Sequence, residues 1–230
     1  MIPVAAARAR GPLLAAAMIG LAAFTAASAA RAQAAAIDGI IALVGSAPGD
    51  EGAATPLLAS DVALHAALAS LLGGSAPADA SPRGAKIAPA RRQAILLALL
   101  VRDARLSGEE IDPAVRQAIV DAVTANAGGR DAFAALLASL GASEGDVGVW
   151  AGDVAMAAAQ LTYMREQVEP PSDKDVQRRF AAQDHPFVGR PLKDVKGRLR
   201  ELMIAEQLVA ALAAELAEAL TDGTVRIVRP

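Results

Sequence analysis

The chain has 230 residues, a net charge of −3, 54% hydrophobic and 3% aromatic residues, and no cysteine. The missing cysteine excludes disulfides, thiol nucleophiles and thiolate metal sites, and the acidic balance argues against phosphate-backbone binding, which draws on clustered Lys and Arg. A hydrophobic fraction carried by Ala, Leu, Val and Ile, with few aromatics, points to closely packed helices.

At the N-terminus, Arg8 and Arg10 form a short positive region. An apolar stretch from Leu13 to Ala27 follows, and then Ala30-Arg31-Ala32, a small-residue cleavage site. This three-part order predicts a secretory signal peptide over residues 1–32, cleaved after about Ala32. The apolar stretch is short for a membrane span, which needs about 20 residues. Cleavage removes Arg8, Arg10 and Arg31 and no acid, which lowers the net charge from −3 to −6.

The mature chain, 33–230, opens on Ile37–Val44, a β-branched apolar run read as a strand. Gly45 to Thr55 is rich in turn formers, and Leu57-Leu58 reads as the short return strand of a hairpin. Ser60 is the expected cap of a helix over 61–72 that uses Val62, Leu64, Leu68, Leu71 and Leu72. Residues 73–89 are Gly-, Ala-, Ser- and Pro-rich and read as a flexible exposed loop. A helix over 89–106 is apolar nearly all round, so it is expected at the centre of the core.

Asp112-Pro113 starts the next helix, which ends near Gly128-Gly129. A short helix over 130–140 is closed by Gly141. Ser143 to Asp146 resembles a capping box opening a long helix to Val168, which Pro170-Pro171 breaks. Residues 169–172 link it to a helix over 173–183. A turn at 184–189 leads into the longest helix, 192–220. There Leu192, Val195, Leu199, Leu202, Val209, Leu212, Leu216 and Leu220 make one stripe. Residues 224–228 alternate as a final strand. A lone strand leaves its ladder groups unpaired, so 37–44 is expected to pair with 224–228 and tie the termini together.

This order resembles the chaperone core of the SurA-like family of periplasmic chaperones and peptidyl-prolyl isomerases. The resemblance rests on the exported strand 37–44, and on Leu58-Ala59-Ser60-Asp61-Val62 entering the first helix. It rests further on Leu106-Ser107-Gly108 before Ile111-Asp112, on the passage from Glu166-Gln167-Val168 to Pro171-Ser172-Asp173, and on the closing helix and strand. It implies a mostly α fold: a multi-helix chaperone core with a small β element joining the two ends. The family usually carries one or two parvulin isomerase domains between its helical segments. Here Val168-Glu169-Pro170 runs directly into Ser172, so the resemblance implies a chaperone module that is not an enzyme.

Motifs for chemistry are sparse. His65 and His185 are the only histidines, and neither falls in a metal-ligand spacing. His65, among apolar neighbours on a helix, reads as a surface or core-edge residue, and His185 as part of a turn. The glycines after the first strand lack the Lys-Ser/Thr of a phosphate-binding loop, and no serine sits in a nucleophile elbow. No catalytic residue, metal ligand or cofactor is expected.

Seven basic side chains lie within 178–200 (Arg178, Arg179, Arg190, Lys193, Lys196, Arg198 and Arg200) against Asp184 and Asp194. One reading is a positive surface for anionic headgroups or acidic partner segments. The other is a solvated helix face, which the interleaved Asp184, Asp194, Glu201 and Glu206 favour.

The resemblance implies an ATP-independent periplasmic holdase that takes unfolded or partly folded exported polypeptides, outer-membrane proteins above all, into an apolar cradle between helices. Peripheral contact with the membrane or the envelope assembly machinery is a further expectation. Trp150, Tyr163, Met164, Phe180 and Phe187 are the candidate client-binding residues, each equally suited to an ordinary core. The alternative is a non-catalytic envelope adaptor that binds one specific partner.

Overall fold

The computed structural model describes residues 39–45, 54–77 and 87–228. The expected signal peptide, the first residues of the N-terminal strand and the middles of the 45–55 and 73–89 loops lie outside the described residues. The described chain is mostly helical, with seven helices and one three-stranded antiparallel sheet.

In chain order the elements are β1 (Ile40–Val44), β2 (Thr55–Leu58), α1 (Ala59–Leu72), α2 (Ile87–Leu106), α3 (Pro113–Asn126), α4 (Arg130–Leu140), α5 (Glu144–Gln167), α6 (Asp173–Ala181), α7 (Leu192–Thr221) and β3 (Val225–Ile227). They divide into two compact units. One runs to Leu161 and resumes at Ala219; the other is Thr162–Glu218. The division falls inside α5 and α7.

In the first unit the sheet order is β2-β1-β3, with the N-terminal strand central. Ala42, Leu43 and Val44 pair with Ile227, Arg226 and Val225, so the expected joining of the chain's two ends is present. Ala42, Val44 and Val225 are buried, as the period-2 alternation of a half-covered strand requires. Gly45 ends β1 and donates its N–H to the Thr224 carbonyl at 3.0 Å. A Cβ there would stand 2.6 Å from the Ala54 Cα, so only glycine fits between the strands. Asp222 accepts the Thr224 N–H at 2.8 Å and turns the chain into β3.

The helix starts follow their capping chemistry. Helix α1 begins at Ala59, one residue before the expected cap Ser60. The local hydrogen bond there runs from the Leu58 N–H to the Asp61 carboxylate at 2.9 Å. The β2 strand runs straight into the helix, and the acid at the third helical position reaches back to the N–H of the capping residue, the half of a capping box that needs no hydroxyl. Asp112 caps α3 through the Ala114 N–H, with Pro113 at the first helical position, where its missing donor costs nothing. Ser143 and Asp146 cap α5 reciprocally.

Helix α2 buries Ala94, Ile95, Leu97, Leu99, Leu100, Val101 and Ala104, as its all-round apolar sequence predicts. Helix α5 buries Val147, Trp150, Ala151, Val154, Ala155, Ala158 and Leu161, a three-four spacing on one face. Asn126, at the end of α3, donates to the Leu71 carbonyl at 2.8 Å, which also accepts the Gly74 N–H at 2.9 Å, and so ties α3 to the end of α1.

In the second unit, Ser172 and Asp175 form the capping box that starts α6. Pro171 is buried and its carbonyl accepts from Arg200 Nε at 3.3 Å, which fixes the α5–α6 break against α7. Val176, Val195 and Leu199 are fully buried. Along the expected α7 stripe, Leu212 and Leu216 are also buried and Leu192 and Leu202 half-buried. Val209 and Leu220 depart from it: they share the stripe by helical period, yet are 46% and 42% exposed.

Candidate functional site

Helix α6 ends at Ala181, and Gln183 then adopts a left-handed backbone with φ 56°, its N–H bonded to the Phe180 carbonyl at 3.1 Å. This reversal brings the next residues back over the helix end. His185 stacks on Phe180, with ring centroids 5.2 Å apart, and on Phe187, at 6.0 Å. Its Nδ1 accepts the Phe187 N–H at 3.0 Å, which places the ring's own N–H on Nε2. That Nε2 is buried without a hydrogen-bond partner.

The next four residues close a β-turn, with the Arg190 N–H donating to the Phe187 carbonyl at 3.2 Å and Gly189 at φ 84°. Glycine at the third position of such a turn supplies the positive φ that the geometry demands. Val188 therefore occupies the turn's leading corner, where it is 58% exposed.

The basic cluster sorts into engaged and unengaged members. Arg179 bridges Asp184 at 3.0 Å and Glu206 at 2.7 Å. Lys196 and Arg200 both reach Asp173, and the hydrogen bond from Lys196 is the main reason that this carboxyl sits below its ordinary range. Arg178 pairs with Asp175, and Arg165 on α5 with Glu201 on α7. Among the described residues, Arg190, Lys193 and Arg198 are exposed and have no ion-pair partner. Of the four interleaved acids, Asp184 and Glu206 engage Arg179 alone; Asp173 and Asp175 at the start of α6 engage Arg178, Lys196 and Arg200, and three members of the cluster face solvent.

The five residues that the sequence singles out lie in different settings. Phe180 and Phe187 are half-buried and brought together around His185. Tyr163 is 58% exposed on α5, and Met164 beside it is half-buried. Trp150 belongs to the core of the first unit, 6% exposed, and its Nε1 donates to His65 Nδ1 at 3.2 Å.

His65, read from sequence as a surface or core-edge residue, is instead 4% exposed. Burial alone pushes its pKa down from 6.5 to about 4. Its local neighbours give no warning, because the partner that makes the imidazole tolerable in the core lies 85 residues away. Val188 also escaped notice as a projecting residue. The signal was present in Phe187-Val188-Gly189-Arg190 between two prolines: glycine and proline mark a turn, and the residue before the glycine, Val188, stands at its corner.

Asp153 has its pKa raised by burial, against the pull of Arg105 at 3.1 Å. It serves as an α2–α5 tie. No group of three or more His, Asp or Glu among the described residues is placed to hold a metal ion. Compared with family models, with curated proteins and with solved structures, the chain matches none.

Proposed function

We propose that the protein is an ATP-independent holdase of the SurA-like kind, without isomerase activity, that binds unfolded exported polypeptides in the periplasm. The observation that carries this reading is apolar exposure along the α7 stripe, where Val209 remains 46% exposed between buried or half-buried neighbours and Leu220 is 42% exposed. Tyr163, exposed on α5 in the same unit as Val209, adds an aromatic surface. Exposed apolar side chains on a rigid helical frame bind extended segments by burial, with little demand on sequence. Affinity is modest, because ordering the client opposes it. The joining of both chain ends in one sheet supports the layout on which the SurA-like reading rests.

The test is light scattering of an unfolded outer-membrane β-barrel protein diluted out of urea. The folded protein should suppress aggregation at near-stoichiometric amounts without ATP. Tyr163→Asp combined with Val209→Asp should weaken suppression while leaving helical circular dichroism intact. Unchanged scattering in the presence of the folded protein would sink the holdase reading and leave the adaptor for one fixed partner in its place.

A further inference from the structure

We propose that the corner of the α6–α7 connection, Val188 with Arg190 and Lys193, is a contact site for an anionic phospholipid surface. This goes beyond the holdase reading and does not rest on it.

Three observations converge on that corner. Val188 is an exposed apolar side chain at the apex of a hydrogen-bonded turn. The turn is held in shape before any partner arrives, by the Phe180–His185–Phe187 stack, by the Phe187 N–H bond to His185 and by Pro186 and Pro191 on either side. A preformed corner loses little freedom on contact. Flanking it, Arg190 and Lys193 are exposed and free of ion pairs, whereas Asp184 on the approach is already engaged by Arg179. Asp194 is the one acid within 178–200 that lacks a basic partner.

An apolar apex with a basic collar matches a lipid interface. The apex enters the headgroup boundary, and each basic side chain near the surface is attracted by anionic headgroups. A bound acidic peptide would ask for a different shape. Peptide recognition uses a groove or a sheet edge that takes alternate side chains. Here the two aromatic rings that could line a groove are spent on the His185 stack, and what remains is an exposed side chain at a turn apex. Among the described residues no single helix is long and apolar enough to cross a membrane.

The experiment is co-sedimentation of the purified chain with vesicles of phosphatidylcholine alone and of an equimolar phosphatidylcholine–phosphatidylglycerol mixture. Parent and variants share the same N-terminal residues, which therefore contribute equally to both. Binding is expected to the mixed vesicles and to weaken as salt shortens the reach of the charges. Val188→Asp, and separately R190E with K193E, should each weaken it by at least about tenfold, with helical circular dichroism unchanged because all three side chains are exposed. Equal binding to both vesicle types, or variants that bind as the parent does, would overturn the proposal. So would tighter binding to poly-glutamate than to the mixed vesicles, which would assign the corner to an acidic polypeptide.

Discussion

The Trp150 indole N–H donates to Nδ1 of His65 at 3.2 Å, locking α5 to α1 inside the core of the first unit. The bond requires an unprotonated Nδ1, because an imidazolium carries N–H on both nitrogens and would set donor against donor.

Stability should therefore depend on pH through this ring. Burial lowers the His65 pKa from 6.5 to about 4. The unfolded chain takes up a proton near pH 6.5 that the folded chain refuses until about 4, so the unfolded state binds more protons between these values. The stabilisation is complete above 6.5, falls as pH drops toward 4 and levels off below, by about 3 kcal/mol at most. Urea unfolding followed by the fluorescence of Trp150, the sole tryptophan, measures it. His65→Leu should cost about 1–3 kcal/mol at neutral pH by orphaning the indole donor. It should also flatten the acid slope. An identical slope in parent and variant would assign the acid sensitivity to other groups.

At Gly45 the prediction concerns space. An added Cβ meets the Ala54 Cα at 2.6 Å and its Cβ at 2.7 Å, and backbone cannot swing aside as a flexible side chain can. Gly45→Ala must spread β1 from β2 or break the bond to Thr224, at about 1–3 kcal/mol. Gly148, within α5, has nothing within 4 Å of its added Cβ. Gly148→Ala should be neutral or stabilise by about 0.5–1 kcal/mol. Thermal unfolding of the two variants side by side separates crowding from the general effect of replacing a glycine.

Elements with a strong local cause were legible in the sequence. The Asp112-Pro113 start, the Ser172–Asp175 box and the all-round apolar α2 are set by neighbours within one or two turns, and they stand where the spacing puts them. The pairing of β1 with β3 was also reachable, because two lone strands in a helical chain have few other partners. What escaped was decided by tertiary contact. The imidazole of His65 is buried because Trp150 arrives from α5. Val209 keeps the period of its stripe, yet no neighbour covers it fully. Phe180 and Phe187 look like generic apolar anchors until the reversal at Gln183 brings both to stack with one ring.

That reversal gives the last prediction. Gln183 is the one non-glycine residue with positive φ among the described residues, and it occupies the position just past a helix end where glycine is usual. A side chain in the left-handed region costs about 1–2 kcal/mol, because Cβ crowds the following carbonyl. Glycine removes that strain and gives back part of the gain, about 0.5–1 kcal/mol, through the greater freedom of the unfolded chain. Gln183→Gly should therefore stabilise the second unit by up to about 1 kcal/mol. Gln183→Val, branched at Cβ, should destabilise it by a similar amount. Urea unfolding monitored by far-ultraviolet circular dichroism should rank the variants glycine, glutamine, valine. If glutamine proves the most stable, its side chain contributes an interaction that outweighs the backbone strain. If valine matches glutamine, the reversal relaxes in solution, and the stacked corner that presents Val188 relaxes with it.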